Sequence, residues 1–166
     1  MTPDPAGKQS PTASLREEHG KILKAAFALG ERLEKLHEQT TLEQMSTARD
    51  VVDFLKRQVV PHTRAEEYSL YPAADWAAGE GSKLTELVRF EHQLIVRRLE
   101  ALEKAISTGA PSGKLMHLSY ALLGLVAAHF TTTEEILLPY LDKAFDAARF
   151  EKEVLSPLRA ERAAKR

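Results

Sequence analysis

The feature that most constrains this chain is a histidine standing in an apolar seam, repeated in four separate segments. In the first, Leu15, His19, Ile22, Ala26, Leu29, Leu33 and Leu36 step alternately by four and three residues. That is the spacing of one helix face buried in a bundle. In the second, Val51, Leu55, Gln58, His62, Glu66 and Ser69 share a stripe; in the third, Leu84, Val88, His92, Ile95, Leu99, Leu102 and Ile106; in the fourth, Leu118, Leu122, Leu125 and His129. No run alternates as a strand would, so the sequence predicts an all-α fold.

The breaks between segments are short: Thr40-Thr41, Gly79-Glu80-Gly81-Ser82 and Gly109 to Gly113. Short connections join antiparallel neighbours. The expected architecture is therefore an up-down-up-down antiparallel four-helix bundle with a short C-terminal helical extension. Residues 1–11 hold three of the eight prolines and are expected to form a disordered tail. Residues 12–143 form the bundle and 144–166 an amphipathic segment. The first helix is expected from Pro11–Ser14 to Gln39, capped by Thr12 or Ser14. The second runs from Leu42 or Ser46 to Tyr71, kinked at Pro61 and stopped by Pro72. The third starts at the N-cap Ser82 and reaches Thr108, and the fourth spans Gly113 to Leu138 or beyond. The final segment is expected to break near Pro157 and fray after it.

Topology then gathers the polar seam residues. His19 and His92 lie near the starts of their helices; His62 with Glu66, and His129 with Glu134, lie near the ends of theirs. In an antiparallel bundle these four ends coincide. A single seam histidine is more often an ordinary core residue, but four at one level with two carboxylates make a metal site. Imidazole and carboxylate without thiolate suit iron, manganese or zinc. A carboxylate turned into a core also needs a cation beside it.

Composition removes other classes. The chain has no cysteine, which excludes disulfides, thiolate catalysis and iron–sulfur ligation. With 23 basic and 24 acidic residues it has no charge footprint for nucleic acid or an anionic membrane. The longest apolar run, Tyr120 to Phe130, is too short to span a bilayer. The N-terminus lacks the apolar stretch of a signal peptide. The expected location is the cytoplasm.

Taken together, His19, His62-x-x-x-Glu66, Glu91-His92 and His129-x-x-x-x-Glu134 resemble the hemerythrin-like, or HHE cation-binding, family over residues 14 to 141. The resemblance implies a non-heme site of two iron ions. Glu66 and Glu134 would be the bridging carboxylates, and His19, His62, His92 and His129 the terminal ligands. It implies a small ligand such as dioxygen, peroxide or nitric oxide, and a protein that binds or senses it or handles iron. A di-iron enzyme turning over peroxide or nitric oxide, and a metal-poor helical module acting through its C-terminal segment, are the alternatives. There is one departure: blood hemerythrins carry a second histidine four residues after that of the third helix, where this chain has Val96.

The five-residue step from His129 to Glu134 rotates roughly 140° on a regular helix, so a local distortion is needed to turn the carboxylate inward; Thr133 takes the +4 position. Glu17, Glu18, Glu67 and Glu91 are read as solvated charges, with Glu17, Glu18 and Glu91 also able to orient an imidazole. His37 and His117 point to the opposite bundle end. Tyr68, Tyr71, Tyr120 and Tyr140 are read as interfacial aromatics, and Trp76 as a cap on the bundle. Ile22, Leu23, Val59, Ile95, Val96 and Leu125 are expected to make a dry pocket around the site.

Overall fold

The seams are realised as five helices in a computed structural model that describes residues 10–35 and 40–164. Helix α1 is Ala13–Glu34, α2 spans 41–78, α3 is Glu86–Ser107, α4 is Ser112–Ala144 and α5 spans 147–164. Among the described residues there is no strand. Residues 1–9, which hold most of the expected tail, and Leu36 and His37 lie outside the described residues.

The prolines do not end these helices. Pro61, Pro72, Pro139 and Pro157 each lie inside a continuous helix, and each follows a single wide π turn: Leu55–Val59, Glu66–Leu70, Thr133–Leu137 and Glu151–Leu155. A helical proline has no N–H to donate, and its ring collides with the carbonyl four residues back. Here the residue before each proline reaches back five residues instead. Val60 N–H bonds Leu55 O, Tyr71 bonds Glu66 O, Leu138 bonds Thr133 O and Ser156 bonds Glu151 O. The widened turn makes room for the ring and the helix continues. Hence α2 passes the expected stop at Pro72 and ends at Ala78, where Gly79 takes φ +102°. In α4 the helix likewise continues past Pro139 to Ala144, and α5 is helical through Pro157 rather than frayed.

Helix starts follow capping chemistry. Thr40 and Glu43 form a reciprocal capping box for α2, which fixes its start at Thr41. Helix α3 begins at Glu86, not Ser82, because Thr85 is held by Asp75: Thr85 Oγ1 donates to Asp75 Oδ2 at 2.8 Å. At α1, buried Thr12 and the Arg16 guanidinium both bond Asp142, tying the first helix to the end of α4.

The interior has two apolar cores. One contains Ile22, Leu33, Val51, Leu55, Ile95, Leu102, Leu122 and Phe130. The other contains Leu15, Leu70, Val88, Leu138, Phe150 and Leu158. Helices α1 and α3 enter through the second core and leave through the first; α2 and α4 do the reverse. Helix α5 joins only the second, burying Phe150, Val154, Leu155 and Leu158 against the upper half of α2. The apolar face of the C-terminal segment is thus used within the chain. Helix α4 is long and apolar enough to cross a membrane by length and composition, yet its Leu122, Val126, His129 and Phe130 are buried in the fold.

Candidate metal centre

Between the two cores lies a buried polar layer. Its middle is the carboxylate of Glu66, which is fully buried. Oε1 lies 3.4 Å from His19 Nε2 and 3.4 Å from His62 Nε2. Oε2 lies 3.3 Å from His92 Nε2 and 3.3 Å from His129 Nε2. One carboxylate therefore faces two imidazole pairs, one pair per oxygen, and the donors form two triads that share Glu66.

The outer ring nitrogens set the direction of the inner ones. His19 Nδ1 donates to Glu134 Oε1 at 3.2 Å, His92 Nδ1 to Glu67 Oε1 at 2.7 Å and His129 Nδ1 to Glu91 Oε2 at 3.1 Å. A hydrogen held at Nδ1 leaves the Nε2 lone pair aimed at the centre, an arrangement typical of metal-bound histidines. His62 is the exception: both its nitrogens are buried without a hydrogen-bond partner.

Of the sequence-predicted ligands, His19, His62, Glu66, His92 and His129 meet here. Glu134 does not face the centre. It sits behind His19, on the ring's outer nitrogen and beside Arg16. The wide turn at Thr133–Leu137 begins only one residue before Glu134, too late to rotate it fully inward. In place of a second bridging carboxylate, the structure gives Glu134 the role of orienting an imidazole. Thr133 is buried but its hydroxyl has no partner. Glu67 and Glu91 are not simply solvated, since each holds a site histidine. His117 is exposed and far from the layer.

Phe130 was missed, and Tyr71, read as an interfacial aromatic, lies in the layer itself. Phe130 lies against three of the imidazoles, with ring centroids 4.6 Å from His19, 5.5 Å from His62 and 5.3 Å from His129. Tyr71 is buried, stacks on His92 at 5.2 Å, and places Oη 2.7 Å from His92 Nε2 and 3.4 Å from Glu66 Oε2. It is five residues beyond Glu66, which points away on a regular helix; the wide turn at Glu66–Leu70 restores it to the same face. The available signal was the same five-residue step ending just before a proline.

Ile22, Val59 and Ile95 are buried, while Leu23, Val96 and Leu125 are half-buried. Trp76 is largely exposed and carries the Arg149 guanidinium over its face.

Electrostatics agree with the geometry. Burial works to raise the Glu66 carboxyl, but the charge of His62, the hydrogen bond with His129 and the close approach of His19 outweigh it and hold it well below the usual range. Burial pushes His62 down. Burial also opposes charging of His129, yet Glu66 and Glu91 lift it to about 9. Burial, reinforced by the charges of Glu66, Glu67 and Glu91, pushes the Tyr71 phenol far up. The layer thus sets one carboxylate among four imidazoles.

The donor set fits metal ions. Ligands about 2.1 Å from one ion stand roughly 3.0–3.4 Å from each other, the spacing found between Glu66 and each of the four Nε2 atoms. His19 Nε2, His62 Nε2 and Glu66 Oε1 are also buried with no hydrogen-bond partner, a costly state that a cation relieves.

The sequence model of the hemerythrin HHE cation binding domain matches residues 10–141. The chain belongs to that family. The matched segment contains the four site histidines and both expected carboxylates, and stops before α5. No curated protein and no solved structure matches the chain. Membership of the HHE family means a domain that binds metal cations, and the His/Glu clusters are compatible with that.

Proposed function

We propose that this HHE-domain protein holds two non-heme iron ions in an up-down-up-down antiparallel four-helix bundle, and binds or senses dioxygen or a related small oxidant such as peroxide or nitric oxide. The observation that carries the reading is the Glu66 carboxylate, with one oxygen turned to each imidazole pair. His19 and His62 would hold one ion, His92 and His129 the other, and Glu66 would bridge them. Iron, when bound, supplies a redox-active centre able to take up such a ligand. The chain's own residues do the rest. Glu134, Glu67 and Glu91 fix three imidazoles through their outer nitrogens, and Phe130 and the Ile22–Val59–Ile95 surface keep bulk water out. Each ion has few protein donors, which leaves coordination positions free. Val96 adds none, and it lines a cleft with Thr63, Arg64 and Gln93 that reaches His92.

The test is anaerobic loading with ferrous iron, counting retained metal, then admitting dioxygen or peroxide while recording the absorption spectrum. Two irons per chain and a new band on oxidation are expected. A spectrum that reverses on removing the oxidant marks binding, and steady consumption of oxidant marks turnover. A chain that retains no iron, or whose loaded spectrum ignores both oxidants, overturns the reading.

A further inference from the structure

We infer that Tyr71 is a third side-chain type in this centre, its phenolic oxygen coordinating the ion held by His92 and His129. The inference rests on the two-ion reading above and adds a ligand to one half of it. Four donor atoms crowd that half. Tyr71 Oη is 2.7 Å from His92 Nε2 and 3.4 Å from Glu66 Oε2. His92 Nε2 is 3.2 Å from His129 Nε2, and Glu66 Oε2 is 3.3 Å from each. These separations are those of neighbouring donors around one ion.

The alternative is a tyrosine that only hydrogen-bonds within the core, and metal weakens it. Both polar neighbours of Oη are themselves ligand atoms. When an ion takes the single lone pair of His92 Nε2, the hydroxyl loses its short acceptor and is left with Glu66 Oε2 at 3.4 Å. The ring cannot swing away, because it is fully buried and stacked on His92 with an interplanar angle of 24°. A buried hydroxyl left with one long hydrogen bond is unfavourable, and coordination removes the problem. On binding, the O–H bond breaks heterolytically and the proton passes to solvent; no electron moves. Placement comes from the π turn that Pro72 imposes. The position is also chemically apt, because this is the half in which Val96 supplies no nitrogen.

The experiment is optical spectroscopy with resonance Raman on the ferric-loaded protein, comparing the native chain, Tyr71→Phe and Tyr68→Phe. Tyr68 is exposed and serves as the control. A visible phenolate-to-iron charge-transfer band with tyrosine ring modes is expected in the native chain and in Tyr68→Phe. Tyr71→Phe should lose it while keeping its helical circular dichroism. A native chain that holds two irons without the band, or a Tyr71→Phe chain that keeps it, overturns this inference and leaves the two-ion reading standing. If ferric iron is not retained, zinc loading replaces it, with the ultraviolet difference spectrum reporting one ionised tyrosine that Tyr71→Phe abolishes. A chain that takes neither metal overturns both.

Discussion

The two halves of the buried layer share one carboxylate and have the same donor distances to it, yet they are built differently. The His19–His62 half is dry and short of partners: Phe130 lies on both rings, and His62 has no partner at either nitrogen. Helix α5 packs beside it, and its Arg159 and Arg162 both bond Glu18, the neighbour of His19. The His92–His129 half is rich in polar groups. Glu67 and Glu91 hold both outer nitrogens, Tyr71 joins the inner ones, and a cleft reaches His92. The lesson is that one bridging group can serve two unlike environments. A closed half suits retention of an ion, and an open, hydrogen-bonded half suits exchange of ligands and protons.

The largest effect belongs to the group the halves share. Glu66→Ala should remove both ions, dropping retained iron from two per chain to near zero; a variant that still holds two would dissolve the comparison. His62→Ala and His129→Ala should each leave a single-ion protein, and metal analysis should show about one iron in either. Loss of both ions in each variant would mean the halves are not separable. A smaller effect tests the outer carboxylates. Glu91→Gln should weaken metal affinity about 10–100-fold, the usual cost of losing a group that orients a ligand histidine. A competition titration with a chelator reads this directly, and unchanged affinity would reduce Glu91 to a surface charge.

The smallest effect is a pH dependence in the metal-free protein, and it runs in opposite directions for His129 and His62. His129 is raised to about 9 when folded, above an unfolded value of about 6.5. Its contribution to stability is therefore fully present below pH ~6.5 and lost as pH rises through about 9. His62 is lowered by burial, so it costs stability as pH falls below the unfolded value. Melting curves of metal-free protein should show His129→Gln flattening the alkaline decline and His62→Gln flattening the acid one. The same slope in all three proteins would contradict the assignment of protons to these two imidazoles.

Much of this was legible from spacing. The 4–3 seams gave α1 and α3 almost residue by residue, since Leu15, Ile22, Ala26, Leu33, Val88, Ile95, Leu99 and Leu102 are all buried. The level shared by the four histidines followed from helix direction alone. What spacing could not carry was the change of period at the prolines. In α2 the turn before Pro61 moves the buried position from the expected Gln58 to Val59. The turn before Pro72 brings in Tyr71, which a regular helix would point elsewhere. In α4 the same device comes too close to Glu134 to turn it inward. A proline read as a terminator hides a register shift when the helix continues through it. The partners of the outer nitrogens were hidden for another reason: Glu67 and Glu91 each reach across to a histidine on a different helix, a pairing that no single-helix pattern encodes.

The central claim is that the Glu66 carboxylate stands between two ions. Crystals of iron-loaded protein, measured at the iron absorption edge, address it without any assumption about activity. Two anomalous peaks about 3.5–4 Å apart are expected, one between His19 and His62 and the other between His92 and His129, with Glu66 between them. A single peak, or peaks away from Glu66, would contradict the account.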